Sequence, residues 1–137
     1  EVAERIAAPP GGKEYGLLSV LLQSFAEVGV VLQVPSHLFF PPPKVDSAVV
    51  RIDVLPKPRA EVADAARFTR LVKAAFAQRR KTLWNSLKSA RLCDDEALKR
   101  VLEKAGVDPA RRAETLSPQE FAAIDQAMPV LAPEPRP

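Results

Sequence analysis

An aromatic pair placed directly before a run of prolines is the first feature of the sequence that suggests chemistry. Phe39 and Phe40 precede prolines 41–43, and Lys44 follows them. An aromatic ring on a proline-stiffened loop can stack an unpaired nucleobase, a contact worth roughly 1–3 kcal/mol. The alternative is that both rings fill a local core, which is the usual fate of phenylalanine. Lys44 is placed either to meet a phosphate or to remain solvated.

Positive charge is the second feature, because it is concentrated in one part of the chain. The protein has 137 residues and a net charge of +3. Residues 65–93 contain no acidic side chain, whereas both flanking segments are net negative. The basic side chains of this segment are Arg67, Arg70, Lys73, Arg79, Arg80, Lys81, Lys88 and Arg91. Charge of one sign favours a polyanionic partner, because each neutralised phosphate releases a counterion; a merely solvated helix face usually mixes signs.

Several classes of chemistry are excluded by composition. His37 and Cys93 are the single histidine and the single cysteine, so we expect no zinc site and no internal disulfide. We assign His37 no role and expect Cys93 to be a small, half-buried residue. No apolar run approaches the ~20 residues of a membrane span. We therefore expect a soluble intracellular protein, and the absence of an initial Met suggests part of a longer one.

The first part of the chain is predicted to form helix, strand, irregular loop and strand. Residues 15–25 are apolar enough for a largely buried helix, and the short β-branched run 28–34 indicates a strand. Residues 35–43 are too rich in proline for regular structure. Residues 45–55 are predicted as the second strand, with the alternate positions from Asp46 to Val54 more buried towards its end.

The rest of the chain is predicted to be helical. From Val62 onward apolar residues recur every three or four positions, and the basic side chains fall on the opposite face of one helix. Arg79 is the exception, because it falls in the apolar stripe, where an unpaired guanidinium is costly. We therefore predict a helix break near residues 78–81, with Thr82 as the N-cap of the next helix. Trp84 fits either a core or an exposed position.

The remaining helices carry recognisable end signals. Asp94 or Asp95 can cap a helix that ends at Gly106. Ser117 followed by Pro118 and Glu120 is a capping box that predicts a further helix. This helix should bury three apolar side chains, which are Phe121, Ile124 and Met128. Residues 132–137 are predicted to fray.

Four segments together resemble one protein family. They are YGLLSVLLQ at 15–23, FFPPPKVDSAVVRI at 39–52, AFAQRRKTLWNSL at 75–87 and GVDPARRAETLSPQEF at 106–121. In this order they are similar to the carboxyl-terminal part of the small-subunit ribosomal RNA adenine dimethyltransferases, the kasugamycin-sensitivity methyltransferase family. The resemblance covers nearly the whole chain.

The resemblance implies a fold and a domain division. Residues 1–56 would be the end of a Rossmann-like, S-adenosylmethionine-dependent methyltransferase domain of the α/β class, including the substrate loop. Residues 57–137 would be a small all-α RNA-binding domain. The family binds its cofactor at a Gly-rich loop and carries a catalytic Asn-Leu-Pro-Tyr motif, and neither occurs in this sequence. We therefore expect no catalytic residue and no cofactor binding in this chain alone.

The resemblance also implies a function, namely dimethylation of two adjacent adenosines near the 3′ end of small-subunit ribosomal RNA. The implied partner is the small ribosomal subunit. The protein is expected to be a cytoplasmic monomer that binds neither a membrane nor a metal ion. Phe39 would stack the target base, while Phe40 would pack. The predicted RNA-binding residues are Lys44, Arg67, Arg70, Lys73, Arg80, Lys81, Lys88 and Arg91.

The sequence leaves open two alternative functions for the chain and two roles for Arg79. The chain could be a non-catalytic RNA-binding module, or a transcription or ribosome-assembly factor. It could also be a helical adaptor whose basic stripe meets an acidic protein. Arg79 either buttresses the fold against an acid or contacts RNA.

Overall fold

The computed structural model describes residues 1–129, which form six α-helices and one two-stranded sheet. The predicted fraying of residues 132–137 lies outside these residues. The chain is of the α/β class: two helices and the sheet come first, and four helices follow. Within residues 1–129, no helix has both the length and the apolar character needed to cross a bilayer. The elements in order are α1 (Val2–Ala7), α2 (Leu17–Phe25), β1 (Ala26–Val34), β2 (Ser47–Val54), α3 (Ala65–Phe76), α4 (Leu83–Ala90), α5 (Asp95–Ala105) and α6 (Pro118–Ala127).

The α2 helix joins the sheet to the rest of the protein. Its C-terminus runs directly into β1, and its other neighbours are α1, α3 and α6. Gln23 donates hydrogen bonds to the carbonyl oxygens of Ile6, at 2.9 Å, and Ala8, at 2.8 Å, which ties α1 to α2. The predicted helix at 15–25 is therefore confirmed, and it begins two residues later than expected.

The sheet is an antiparallel ribbon of β1 and β2, in which Ala26 lies opposite Val54 and an irregularity interrupts the register between Val30 and Leu32. The prediction that β2 becomes more buried towards its end is wrong, since Ile52 is 46% and Val54 80% exposed. The physical reason is that the sheet has only two strands among residues 1–129, and the helices that contact it, α1 and α2, leave these side chains of β2 uncovered.

The basic segment is divided between two helices. As predicted, the helix breaks before Thr82: α3 ends at Phe76 and α4 begins at Leu83. The Thr82 hydroxyl accepts from the Asn85 amide at 3.2 Å, as an N-cap does. Since the helix is not continuous, the basic side chains expected on one helix face are divided among α3, the connection and α4.

The later helix ends follow the predicted signals. Asp94 caps α5 by accepting from the Ala97 amide at 2.7 Å. Gly106 ends α5 with φ +72, a left-handed conformation that glycine adopts without strain. Ser117 and Glu120 form the reciprocal capping box of α6. Phe121, Ile124 and Met128 are buried, as expected.

The main core is made by the helices and includes residues that precede the sheet. Tyr15 and Val20 belong to the same buried cluster as Phe68 and Phe121. The Tyr15 hydroxyl is buried without a hydrogen-bond partner among the described residues, and burial raises the pKa of this phenol well above its ordinary value. Residues on both sides of position 56 therefore share one core, whereas the division into two domains stays a prediction.

Candidate nucleic-acid interface

The loop between β1 and β2 is closed by one side chain. A 3-10 turn, Ser36–Leu38, opens this loop, and the Phe39 amide donates to the Ser36 carbonyl oxygen at 3.2 Å. Asp46 Oδ1 accepts from the Ser36 amide at 2.8 Å. One carboxylate thus links the two ends of the loop by a local hydrogen bond.

The loop presents its aromatic side chains to solvent. Phe39 is 42% exposed, so part of its ring is accessible. Phe40 is 101% exposed, and the expectation that it packs is therefore wrong. No apolar layer covers the loop within residues 1–129, so this ring has nothing to pack against. Lys44, in the same loop, is also exposed.

The connection between α3 and α4 presents three consecutive cations, Arg79, Arg80 and Lys81, which we call the basic turn. All three side chains are exposed. The Lys81 amide donates to the Gln78 carbonyl oxygen at 3.0 Å, which closes the turn just before the Thr82 cap. Neither Arg80 nor Lys81 has an ion-pair partner in the part of the chain that the structure describes. Arg80 and Lys81 therefore carry positive charge that no ion pair among residues 1–129 neutralises.

Arg67 has an intramolecular partner instead. Its Nε lies 3.0 Å from Asp125 Oδ1, and its Nη2 donates to the Asp125 carbonyl oxygen. The Asp125 side chain is only 2% exposed, against 30% for Arg67. A buried carboxylate needs such a partner, because an unpaired charge in the interior is very unfavourable. The Arg67 side chain is thus committed to holding α6 against α3.

Lys88 and Arg91 lie beside acidic groups. Lys88 Nζ is 3.5 Å from Asp95 Oδ2, and both side chains are more than half exposed. These two cations line one shallow surface cavity together with Asp94, Asp95 and Glu96. The local charge is mixed, and the long stretch without acids in the sequence does not reveal this, because α5 supplies the carboxylates from outside it.

The two remaining predicted cations lie on α3. Lys73 is exposed, whereas Arg70 is half-buried and engaged within the chain. Arg79 of the basic turn lines a cavity of about 460 Å³ that also includes Glu4 and Glu14. No ion pair with these acids is formed within residues 1–129, so the geometry leaves both roles of Arg79 open.

Sequence reasoning missed the importance of Arg111. Its guanidinium donates two hydrogen bonds to the Glu120 carboxylate, one of them from Nη2 to Oε1 at 3.2 Å. This hydrogen bonding lowers the pKa of the Glu120 carboxyl and raises the pKa of the Arg111 guanidinium. The Arg111 carbonyl oxygen accepts from the Leu83 amide at 2.6 Å, which holds the start of α4. Both residues lie in the segment 106–121 that resembles the family, but the sequence alone does not indicate that they pair.

The two residues with possible metal or nucleophile chemistry stand apart from each other. His37 is exposed in the loop, and Cys93 is half-buried beside the start of α5. Burial, followed by the nearby Asp94 and Asp95 charges, raises the pKa of the Cys93 thiol. Among residues 1–129, no three His, Cys, Asp or Glu side chains are grouped to hold a metal ion.

Known proteins similar to this chain are ribosomal RNA methyltransferases. The chain is 57% identical over 134 residues to the ribosomal RNA small subunit methyltransferase A of Myxococcus xanthus, covering 97% of this chain and 47% of that relative. It is 56% identical over 128 residues to the protein of the same name from Anaeromyxobacter dehalogenans, covering 93% of this chain and 45% of the relative. The chain therefore spans about half the length of the curated relatives it matches.

Solved structures share the fold. A dimethyladenosine transferase from Plasmodium falciparum superposes with a TM-score of 0.71 at 23% identity, over 89% of this chain and 52% of that one. The 23S rRNA methyltransferase ErmE gives a TM-score of 0.59, also at 23% identity, over 92% of this chain and 50% of that one. The family model described as ribosomal RNA adenine dimethylase matches residues 1–128. The chain thus belongs to the ribosomal RNA adenine dimethylase family.

Proposed function

We propose that this chain is the substrate-side part of an enzyme that dimethylates two adjacent adenosines near the 3′ end of small-subunit ribosomal RNA. Family membership and the names of the relatives support the reaction class. The observation that carries the proposal for these residues is the basic turn, whose Arg80 and Lys81 have no ion-pair partner within residues 1–129, together with the exposed Phe39. Such a surface suits an RNA backbone with one base turned out of its stack.

The proposal divides the work between this chain and the rest of the enzyme. S-adenosylmethionine, held by the rest of the enzyme, would supply the methyl group for the exocyclic amine of adenine. A Gly-rich cofactor loop and an Asn-Leu-Pro-Tyr motif do not occur in this sequence. We therefore assign cofactor binding and amine methylation to the remainder of the enzyme. Residues 1–56 would complete the methyltransferase domain, and residues 57–137 would form the helical RNA-binding domain.

Phe39 would support the extruded adenine. A base that leaves the stack loses its neighbours, and an aromatic face replaces that contact at roughly 1–3 kcal/mol per base. The hydrogen bond from the Ser36 amide to Asp46 ties the two ends of the Phe39 loop together before RNA arrives, which would reduce the ordering cost of binding. Its partial exposure leaves ring surface for the base.

The cations would position the RNA without reading its sequence. Arg80 and Lys81 are the strongest candidates for phosphate contacts, because no acid within residues 1–129 neutralises them. Phosphate contacts fix register and orientation, whereas the shape of the folded RNA supplies the selectivity. The other proposed contacts, which lie in the loop, on α3 and around α4, are Lys44, Arg70, Lys73, Lys88 and Arg91.

Two of the predicted RNA-binding cations, Arg67 and Lys88, already have acidic partners in the structure. Arg67 is left out of the interface, because its guanidinium already compensates a buried carboxylate. Lys88 is expected to contribute less than Arg80 or Lys81, since Asp95 competes for its charge. A monomeric state and a cytoplasmic location complete the proposal.

The test uses the full-length protein and small ribosomal subunits. Methyl transfer from labelled S-adenosylmethionine and subunit binding are measured for wild type, Phe39→Ala and the matched control Phe39→Tyr. We expect Phe39→Ala to lose turnover far more than binding, while Phe39→Tyr, which keeps an aromatic face, retains most turnover. Equal losses of turnover and binding would show that Phe39 is structural. Subunit binding by the wild type without any methyl transfer would favour a non-catalytic assembly factor.

A further inference from the structure

Trp84 lies beside an open apolar cavity that the proposed methyl transfer does not use. It is the only tryptophan of the chain and stands on the first turn of α4, half-buried. The cavity has a volume of about 430 Å³, and its other lining residues are Thr82, Lys99, Pro109 and Ala110. This volume lies within the usual range of small-molecule sites, about 300–1,000 Å³.

Backbone hydrogen bonds hold this cavity in shape. The Trp84 amide donates to the Pro109 carbonyl oxygen at 3.1 Å, and the Leu83 amide donates to the Arg111 carbonyl oxygen at 2.6 Å. The Asn85 amide is used by the Thr82 hydroxyl. The first turn of α4 therefore has its amides occupied, and the cavity offers apolar and aromatic surface rather than an anion-binding helix end.

The two cavities that Trp84 lines differ in charge. Lys99 lines the apolar cavity, and Lys81 of the basic turn precedes Trp84 by three residues. The neighbouring cavity along α5, which Trp84 and Lys99 also line, carries Asp95, Glu96 and Glu103 as well as Arg100. A ligand with a flat apolar ring and a flanking negative charge suits the first cavity, whose one charged lining residue among residues 1–129 is Lys99, better than the second, where acids outnumber cations. A nucleotide has this combination.

We propose that Trp84 stacks an unpaired base of the bound ribosomal RNA, with Lys99 and the basic turn holding the phosphates on either side. The inference rests on the proposed function for the identity of the RNA. It adds a second aromatic contact, on the helical part of the protein, to the one proposed for Phe39. Stacking on an aromatic face tolerates any base, so this contact would add affinity rather than sequence selectivity.

The single tryptophan makes the test direct, because the fluorescence of this chain on tryptophan excitation reports Trp84 alone. The probes are single-stranded oligoadenylate, an abasic ribose–phosphate oligomer of the same length, and duplex RNA of the same length. Binding is followed separately by the anisotropy of a label on the RNA. We expect saturable quenching by oligoadenylate and binding without quenching by the abasic oligomer and the duplex. Equal quenching by all three probes, or oligoadenylate binding without quenching, would overturn the inference.

Two variants separate stacking from packing. Trp84→Leu is expected to weaken oligoadenylate binding by about 5- to 160-fold, the equivalent of one stacked base, with an unchanged salt slope. Trp84→Phe should recover most of that loss. If Trp84→Leu does not fold, the quenching experiment and the Trp84→Phe titration still decide. Methyl transfer by the full-length protein is measured independently, so its absence would count against the proposed function and not against Trp84.

Discussion

Removing two neighbouring cations from the basic turn is expected to flatten the salt dependence of RNA binding. Arg80 and Lys81 are exposed and have no ion-pair partner within residues 1–129, so each is available to neutralise one phosphate. One phosphate contact contributes about 0.7 for a single strand, or about 0.9 for a duplex, to the slope of log affinity against log salt. The double variant Arg80→Ala/Lys81→Ala should therefore lower the slope by about 1.4–1.8. Over a fourfold rise in salt, its binding should weaken roughly 7- to 12-fold less than that of the wild type.

The assay is a titration of a labelled small-subunit RNA fragment with this chain over a fourfold range of KCl. The matched control is Lys104→Ala/Arg112→Ala, which removes the same charge from two exposed positions outside the cavities that Trp84 and Lys88 line. We expect the control to keep the wild-type slope, because counterion release depends on contacts rather than on net charge. An equal change of slope in both double variants would refute the assignment of contacts to the basic turn. An unchanged slope in Arg80→Ala/Lys81→Ala would refute it as well.

Three further predictions concern the stability and the ligands of the chain. Arg67→Ala should destabilise the fold by on the order of 3 kcal/mol, because the buried Asp125 charge loses its partner. Urea unfolding measures this loss, with the exposed Arg112→Ala as the control. An equal fall of the midpoint in both variants would refute the prediction. The pKa of Glu120 is lowered by Arg111, so this pair should stabilise the fold fully above pH ~4.3 and lose its contribution as the pH falls further. In urea unfolding at a series of pH values, Glu120→Gln should remove the loss of stability that this pair causes in acid. An unchanged dependence of stability on pH would contradict the prediction. Isothermal titration of S-adenosylmethionine into this chain should give no heat, and clear micromolar binding would show that the cofactor site lies here.

Interactions between residues close in sequence were predictable from the residues themselves. Arg79 interrupts an apolar stripe, and this conflict correctly predicts the break between α3 and α4. The caps made by Thr82, Asp94 and Ser117 each reach an amide three residues further along the chain. Such contacts depend on local geometry alone, so residue types in the right order are enough to predict them.

Interactions between distant segments were not predictable in this way. Arg67 and Asp125 are 58 positions apart, and nothing in the periodicity of α3 indicates which of its cations will meet a buried acid. The exposure of Phe40 and Val54 likewise depends on whether another layer covers the loop and the ribbon. Composition shows that these side chains are apolar, whereas only the packing shows that they remain uncovered.

Arg59 fixes the segment that follows the sheet by three contacts. Its amide donates to the Ser24 carbonyl oxygen at 2.8 Å, its Nη1 donates to the Gln23 carbonyl oxygen at 2.9 Å, and its Nη2 pairs with Glu27. The segment that leaves β2 is thereby clamped to the end of α2. The start of β1 and the segment after β2 are thus held at the same helix end, so the ribbon cannot swing away from the helices without breaking these three contacts.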